Sequence, residues 1–325
     1  MDKRINKAYV RYDKNGRIIP GGPRMSRFKP KSGGWKEINA YQCCNPTPLP
    51  TINALRLTFD SIANADLLVG DALNVSDWNT FFDLPTYGNP FTSVEVVGNE
   101  VRLFGGSEII MTNGGGYGNN LFSNNQNLIE INDLSGCVIE LGAGICSYSE
   151  SLVTINFPNV LIGGNECFYY CTSLINVNLP ILQTIDYSFF EGCSSLVSIS
   201  LPQLITTVNS CFQDCTSLTT INIPQLTTAE AYSFIYCTSL TTVDLPLLTT
   251  AGVACFFNCI SLTTINLPLC TDLGGTVGNN NVFAAITGNT ITLTVPSALM
   301  TCNSGNPDGD IQYLQANNTV TVVTV

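Results

Sequence analysis

Cysteine carries the most latent chemistry in this chain: there are 14 in 325 residues, and most are regularly placed. Cys167 and Cys171, Cys211 and Cys215, and Cys255 and Cys259 form pairs four apart that recur every 44 residues. Each pair is a half-site for zinc, which takes four thiolate or imidazole ligands in a tetrahedron. The chain has no histidine, so the other half-site would have to be a second cysteine pair, about 10 Å away if the segments stack as parallel strands. A second series, Cys171, Cys193, Cys215, Cys237 and Cys259, repeats every 22 residues. Stacked in register, their Cβ atoms would lie about 4.8 Å apart, wider than a disulfide tolerates comfortably. The expectation is a ladder of buried thiols acting as small apolar residues, with no metal and no cofactor. Cys43 and Cys44 fall outside both series and are free to contact another chain.

Other catalytic chemistry finds little to build on. Without histidine, a serine, threonine or cysteine nucleophile lacks its ordinary base. The acids Glu130, Glu166, Asp186, Glu191, Asp214, Glu230 and Asp244 are scattered over different positions of the repeat described below, so they converge on no cleft. No glycine-rich stretch has the strand–turn–helix context that cradles phosphate. Asn306, Asp308 and Asp310 resemble the start of a calcium loop, but no bidentate glutamate follows, and a plain turn is expected there. The chain therefore reads as non-enzymatic.

The elements that position these residues come from one sentence written repeatedly: CTSLINVNLP, CSSLVSISLP, CTSLTTINIP, CTSLTTVDLP and CISLTTINLP. Its prolines fall at 158, 180, 202, 224, 246 and 268, always 22 residues apart. A strict period in this range marks a solenoid, whose units bury their apolar sides only against their neighbours. Apolar columns run through Leu174 and its equivalents, through Val177 and its equivalents, and through the residue before each proline. One polar residue separates the last two columns, which is strand alternation. Phe168, Phe190, Phe212, Phe234 and Phe256 make an aromatic column. Proline ends each strand because it has no N–H to donate. The predicted fold is a stack of 22-residue coils, mostly β and irregular, with a parallel sheet on one face and a small β-rich N-terminal region. Its "F…C-x-S-L-x-x-I-x-L-P" sentence resembles the leucine-rich repeats of the bacterial surface-antigen (BspA-like) type, which implies a leucine-rich-repeat solenoid.

The strand face is the candidate recognition surface. Its outward residues are Asn156, Asn178, Ser200, Asn222, Asp244 and Asn266, with Thr220, Thr242 and Thr264 two positions earlier in their strands. Such a nearly uncharged polar ladder can hydrogen-bond sugars or peptide edges, or it can simply solvate the sheet. A second cluster, Tyr169, Tyr170, Tyr187, Tyr232 and Tyr236, is typical of contact surfaces.

Charge is segregated along the chain. Residues 1–50 hold 11 Lys and Arg and three acids, whereas the remaining 275 hold two basic and 21 acidic residues, giving +8 and −19. The basic stretch interleaves Tyr9, Tyr12, Phe28 and Trp35 with turns at Asn15-Gly16 and Gly33-Gly34, so two hairpins are expected. That mixture argues against nucleic acid as the partner and for docking onto an acidic protein surface. The phrases YVRYDKNGRIIPGG and SRFKPKSGGWKEI, with the Cys43-Cys44 pair, resemble the N-terminal segment of virion structural proteins of tailed phages that infect Bacteroidetes and marine hosts. That resemblance implies a capsid- or tail-docking module carrying Arg4, Lys7, Tyr9, Arg11, Tyr12, Arg17, Arg24, Arg27, Phe28, Lys29, Lys31, Trp35 and Lys36. On this reading the protein sits on a virion surface, docks other virion proteins through residues 1–50 as a homo-oligomer, and binds host surface polysaccharide or protein through the solenoid. The alternative is a bacterial leucine-rich-repeat surface adhesin. The N-terminus has no apolar core of a leader peptide, and no run of 18 apolar residues predicts a membrane span. The expected divisions are a docking arm at 1–50, a β-rich connector and cap at 51–115 with a helix at 76–83, the solenoid at 116–300 and a cap strand at 301–325.

Overall fold

A computed structural model describes residues 55–63, 91–105, 109–111, 121–134, 138–274, 282–301 and 308–325, residues 65 and 136, and the backbone of three strands near the N-terminus. Met1–Thr51 and Ile52–Val325 form separate compact units. In the first, β1 (Lys7–Arg11) lies between β2 (Arg24–Ser26) and β3 (Trp35–Ile38), antiparallel to both. The register, Tyr9 opposite Arg24 and opposite Glu37, differs from the two local hairpins expected at Asn15-Gly16 and Gly33-Gly34. Strand β3 returns to β1 rather than to the stretch just before it, a longer-range pairing that turn chemistry does not encode. The side chains proposed for docking, Cys43-Cys44 and the helix expected at 76–83 lie outside the described residues.

The second unit starts with β4 (Leu55–Phe59) and a hairpin of β5 (Phe91–Val97) and β6 (Glu100–Gly105). The hairpin turns at Gly98-Asn99, where Gly98 takes a φ of +62°, as the sequence predicts. After β7 (Ile109–Met111) the coils begin, each with a longer and a shorter strand. They are β8 (Leu128–Asn132), β9 (Val138–Leu141), β10 (Thr154–Asn156), β11 (Ile162–Gly163), β12 (Asn176–Asn178), β13 (Thr184–Ile185) and β14 (Ser198–Ser200). They continue as β15 (Thr206–Thr207), β16 (Thr220–Asn222), β17 (Thr228–Ala229), β18 (Thr242–Asp244), β19 (Thr250–Ala251) and β20 (Thr264–Asn266). The chain closes with β21 (Thr290–Val295), helix α1 (Gly309–Asn317) and β22 (Thr319–Thr324).

The short strands form a second parallel sheet, ordered β19-β17-β15-β13-β11-β9-β7, that the sequence reading did not separate from the first. On the strand face, β4 joins β8 antiparallel, and β6 and β5 follow it. Three antiparallel pairings, β4 with β8, β4 with β6 and β5 with β6, extend the strand face beyond the first coil. Helix α1 is a finding: a turn and a strand were expected, yet the side chain of Asp308 accepts from the Asp310 N–H and caps it. It buries Ile311 and Leu314.

The interior follows the columns. Leu174, Leu196, Leu218, Leu240 and Leu262 are wholly buried, as are the six stacked phenylalanines from Phe168 to Phe283. Successive rings in that stack lie 5.1–5.8 Å apart, with interplanar angles of 4–20°. The thiol ladder does more than fill space. Cys171, Cys193, Cys215, Cys237 and Cys259 each donate to a carbonyl of the preceding coil at 3.1–3.2 Å. Ser149, which replaces cysteine in an earlier coil, donates to the Phe122 carbonyl in the same way. Burial raises the pKa of every one of these thiols, so they are poor nucleophiles.

Replacing Cys215 by valine roughly keeps the volume but removes one of two donors to the Phe190 carbonyl, which keeps the Cys193 N–H, at a cost of about 0.5–1.5 kcal/mol. Cys215→Ser restores a donor. Urea unfolding should therefore rank serine above valine, and the reverse order would show that only apolar packing matters at this position.

Candidate functional site: an opening in the strand face

The side chains expected on the strand face do stand outward, and the structure shows how they are tied. Asn156 donates to the Asn132 amide oxygen at 2.6 Å, and Asn178 donates to that of Asn156. Further along, Asn222 donates to the Ser200 hydroxyl at 2.8 Å and Asn266 to the Asp244 carboxylate at 2.7 Å. At the N-terminal end the row meets Glu130, which accepts from Asn132 at 3.0 Å and pairs with Arg56 at 2.6 Å.

This row is interrupted once. Strand β12 ends one sheet and β14 begins the next, and the two do not pair. On the turn side the same two coils are closely tied: the N–H groups of Glu166, Phe168 and Tyr170 donate to the carbonyls of Tyr187, Phe189 and Glu191 at 3.0, 3.0 and 2.7 Å. The junction is a wedge, shut at the turns and open at the strands.

One column differs between the coils on either side of the wedge. In later coils it holds Thr219, Thr241 and Thr263, whose hydroxyls donate to the carbonyls of Val197, Thr219 and Thr241 at 3.0–3.3 Å. At the opening the column holds Ile175 and Val197, which have no hydroxyl and stand about half exposed, at 48% and 50%. Val153 and Ile175 lack the hydroxyl at junctions that do pair, so the apolar residues accompany the opening without marking it by themselves.

The result is a depression of about 590 Å³. Of the residues expected on the strand face, Asn156, Asn178, Ser200, Thr220 and Asn222 line it, and Asn132, Thr154, Asn176 and Ser198 join them. Thr242, Asp244, Thr264 and Asn266 belong to the same face but not to this depression. None of its 13 lining residues is ionisable; Ile155, Ile175, Val177 and Ile199 supply its apolar part. Val177, whose column is otherwise mostly buried, is here only half-buried. The site thus offers amide and hydroxyl groups, the backbone edges of β12 and β14, and a short apolar ridge. It has nothing to polarise a bond or move a proton.

Elsewhere, no group of three or more His, Cys, Asp or Glu is arranged to hold a metal ion among the described residues. Asp308 is spent on the helix cap, and Asp310 is buried at 3% exposure with its Oδ1 unbonded. No described helix is long and apolar enough to cross a membrane.

Two outcomes follow. Val197→Thr supplies the missing donor to the Ile175 carbonyl, so amide exchange across β12 and β14 should slow; unchanged exchange would separate the opening from this column. Burial, and then the charge of Asp308, push the Asp310 carboxyl up to about 7. The folded chain then holds a proton that the unfolded chain releases near pH ~4. Stability is greatest below that value and falls as pH rises to about 7. Asp310→Asn should flatten that fall in thermal melts, and a parental slope in the variant would assign it to other groups.

No curated protein matches this chain significantly. Among solved structures, it is similar to a leucine-rich repeat protein from Bacteroides ovatus, with 18% identity, a TM-score of 0.35 and coverage of 59% of each chain. It is also similar to a leucine rich cell surface protein from Faecalibacterium prausnitzii, with 14% identity and a TM-score of 0.36, over 71% of this chain and 86% of that one. The chain thus spans 59% of the length of the Bacteroides ovatus protein. The BspA type leucine rich repeat region matches residues 109–174 and 161–285 in six copies, together more than half of the 325 residues. A chain built of these coils, carrying this repeat over most of its solenoid, belongs to the BspA-type leucine rich repeat family.

Proposed function

We propose that the solenoid is a non-enzymatic adhesion module that holds an uncharged, hydroxyl-rich glycan in the depression between β12 and β14. The observation that carries this reading is the uncharged lining of that opening, rich in asparagine, serine and threonine. Amides can donate and accept at once, matching vicinal hydroxyls that do both, while a charged ligand would find no counter-ion there. The similarity to a leucine rich cell surface protein agrees in kind with an adhesive role but adds no weight to the choice of ligand.

The carrier we propose for this module is a virion, docked through the basic residues 1–50 and displaying the solenoid toward the host. The segregation of 11 of the 13 Lys and Arg into that segment favours it, together with the resemblance of its phrases to phage structural proteins. A bacterial envelope is the competing carrier. Mass spectrometry of purified phage particles decides between them: absence of this chain from every particle preparation would leave the envelope.

Substituting Ser200 by lysine inserts a long cation into the opening, whereas Asn266→Lys places the same charge outside it. With a panel of neutral host-surface polysaccharides in a pull-down, the first should reduce retention at least tenfold and the second should not. Equal retention by both variants would sink the assignment of the site, and no retention by the parent chain would sink the assignment of ligand class.

A further inference from the structure

The turns of the solenoid carry a surface that the adhesion reading does not use. Tyr148 and Tyr170 stand exposed at 42% and 37%. With Tyr169 they make a continuous aromatic island, ring centroids 4.6–5.8 Å apart. The Tyr170 ring lies flat against Gly192, where an added Cβ would meet a ring carbon at 2.8 Å. Every other coil in this column from Tyr148 to Asn258 has a side chain at the left-handed position, so glycine here is what lets the ring settle.

Carboxylates surround the island. Glu191 and Asp214 are close enough to Tyr170 to make its phenol harder to ionise, after burial. Glu191 is buried at 9% exposure, accepts from the Ser188 hydroxyl at 2.6 Å, and has its pKa raised by burial, with Asp214 and Glu166 adding to it. Asp214 accepts from the Gln213 amide at 3.3 Å. Nothing in this unit can neutralise them. Residues 52–325 contain only Arg56 and Arg102 as cations, and these pair with Glu130 at 2.6 Å and with Glu100 at 3.0 Å. This edge therefore carries its carboxylates without a side-chain cation of residues 52–325 beside them.

We infer that this tyrosine island and its carboxylates dock an arginine-bearing, extended segment of a partner protein. The rings are packed against one another, so they leave no cage to enclose a compact ammonium. A planar guanidinium instead lies flat on an exposed phenol face while its N–H groups reach a carboxylate. The column continues from Tyr170 through Gly192 and Asp214 to Tyr236, itself 38% exposed. Three coils at about 4.8 Å each make a stripe of about 14 Å, the length of a short extended peptide. The glycan depression lies on the strand face and shares none of these side chains, so the two surfaces stand or fall separately.

Fluorescence anisotropy with the full chain and a labelled Arg-Gly repeat octapeptide tests this, with a Glu-Gly octapeptide as the charge control. The Arg peptide should bind, more weakly as salt rises, and the Glu peptide should not. Tyr170→Leu keeps the packing on Gly192 but removes the phenol face, and Asp214→Asn removes one charge at a left-handed position that asparagine tolerates. Each should weaken binding about tenfold, while Asp244→Asn on the strand face leaves it unchanged. Should Tyr170→Leu fail to fold, Tyr148→Leu takes its place. No binding of the Arg peptide, or equal losses in Asp214→Asn and Asp244→Asn, would overturn the proposal.

Discussion

Each coil exposes two rows of backbone N–H and C=O groups that only another coil can satisfy, and everything else in this fold depends on that pairing. An unpaired buried peptide group costs about as much as a lost hydrogen bond, so the strands register to the residue: Ile155 opposite Val177, Ile199 opposite Ile221, Val243 opposite Ile265. The turns obey the same demand, passing N–H to carbonyl from coil to coil along the whole stack. The two ends of the strand face then need different solutions. At the first, antiparallel β4, β6 and β5 extend the sheet; at the last, β22 pairs with β21 over six residues and is the outermost strand of its sheet.

Pairing at the turns has a conformational cost. Two residues per turn take left-handed backbone angles, at Glu166 and Tyr170, Ser210 and Asp214, Tyr232 and Tyr236, and Ala254 and Asn258. Left-handed angles cost L-residues about 1–2 kcal/mol each, so the inter-coil bonds, the phenylalanine stack and the thiol donors must together outweigh them. Cysteine in this column fills the volume and adds a second donor, its S–H, to a carbonyl that already accepts a backbone N–H in its turn. The ten described cysteines are all buried and free.

The periodic features were legible because a period averages out local ambiguity: the columns of Leu174, Val177, Phe168 and Cys171 could each be assigned from five or six copies. Single-copy features were not. Helix α1 hides behind Pro307, Asp308 and Gly309, which read as a turn, and its nine residues have only Ile311 and Leu314 to mark an apolar side. The pairing of β1 with β3 spans a loop whose own turn signals point elsewhere. The opening between β12 and β14 is an intermediate case. The face and its outward residues followed from alternation, but the break did not, because apolar Val153 and Ile175 stand in the same column as Val197 at junctions that pair.

The unpaired junction changes what the strand face presents. A stack in which every coil is fully zipped presents a flat face whose polar groups are largely occupied by one another, as Asn266 and Asp244 are. Binding needs donors and acceptors that are held in place yet not already consumed. The unpaired edges of β12 and β14 provide them, because the turns, the Cys193 thiol and the ring contact between Phe168 and Phe190 hold the same two coils together from the other side. The opening is thus rigid at its base and unsatisfied at its mouth. A solenoid can tolerate that in one place while neighbouring coils keep their pairing.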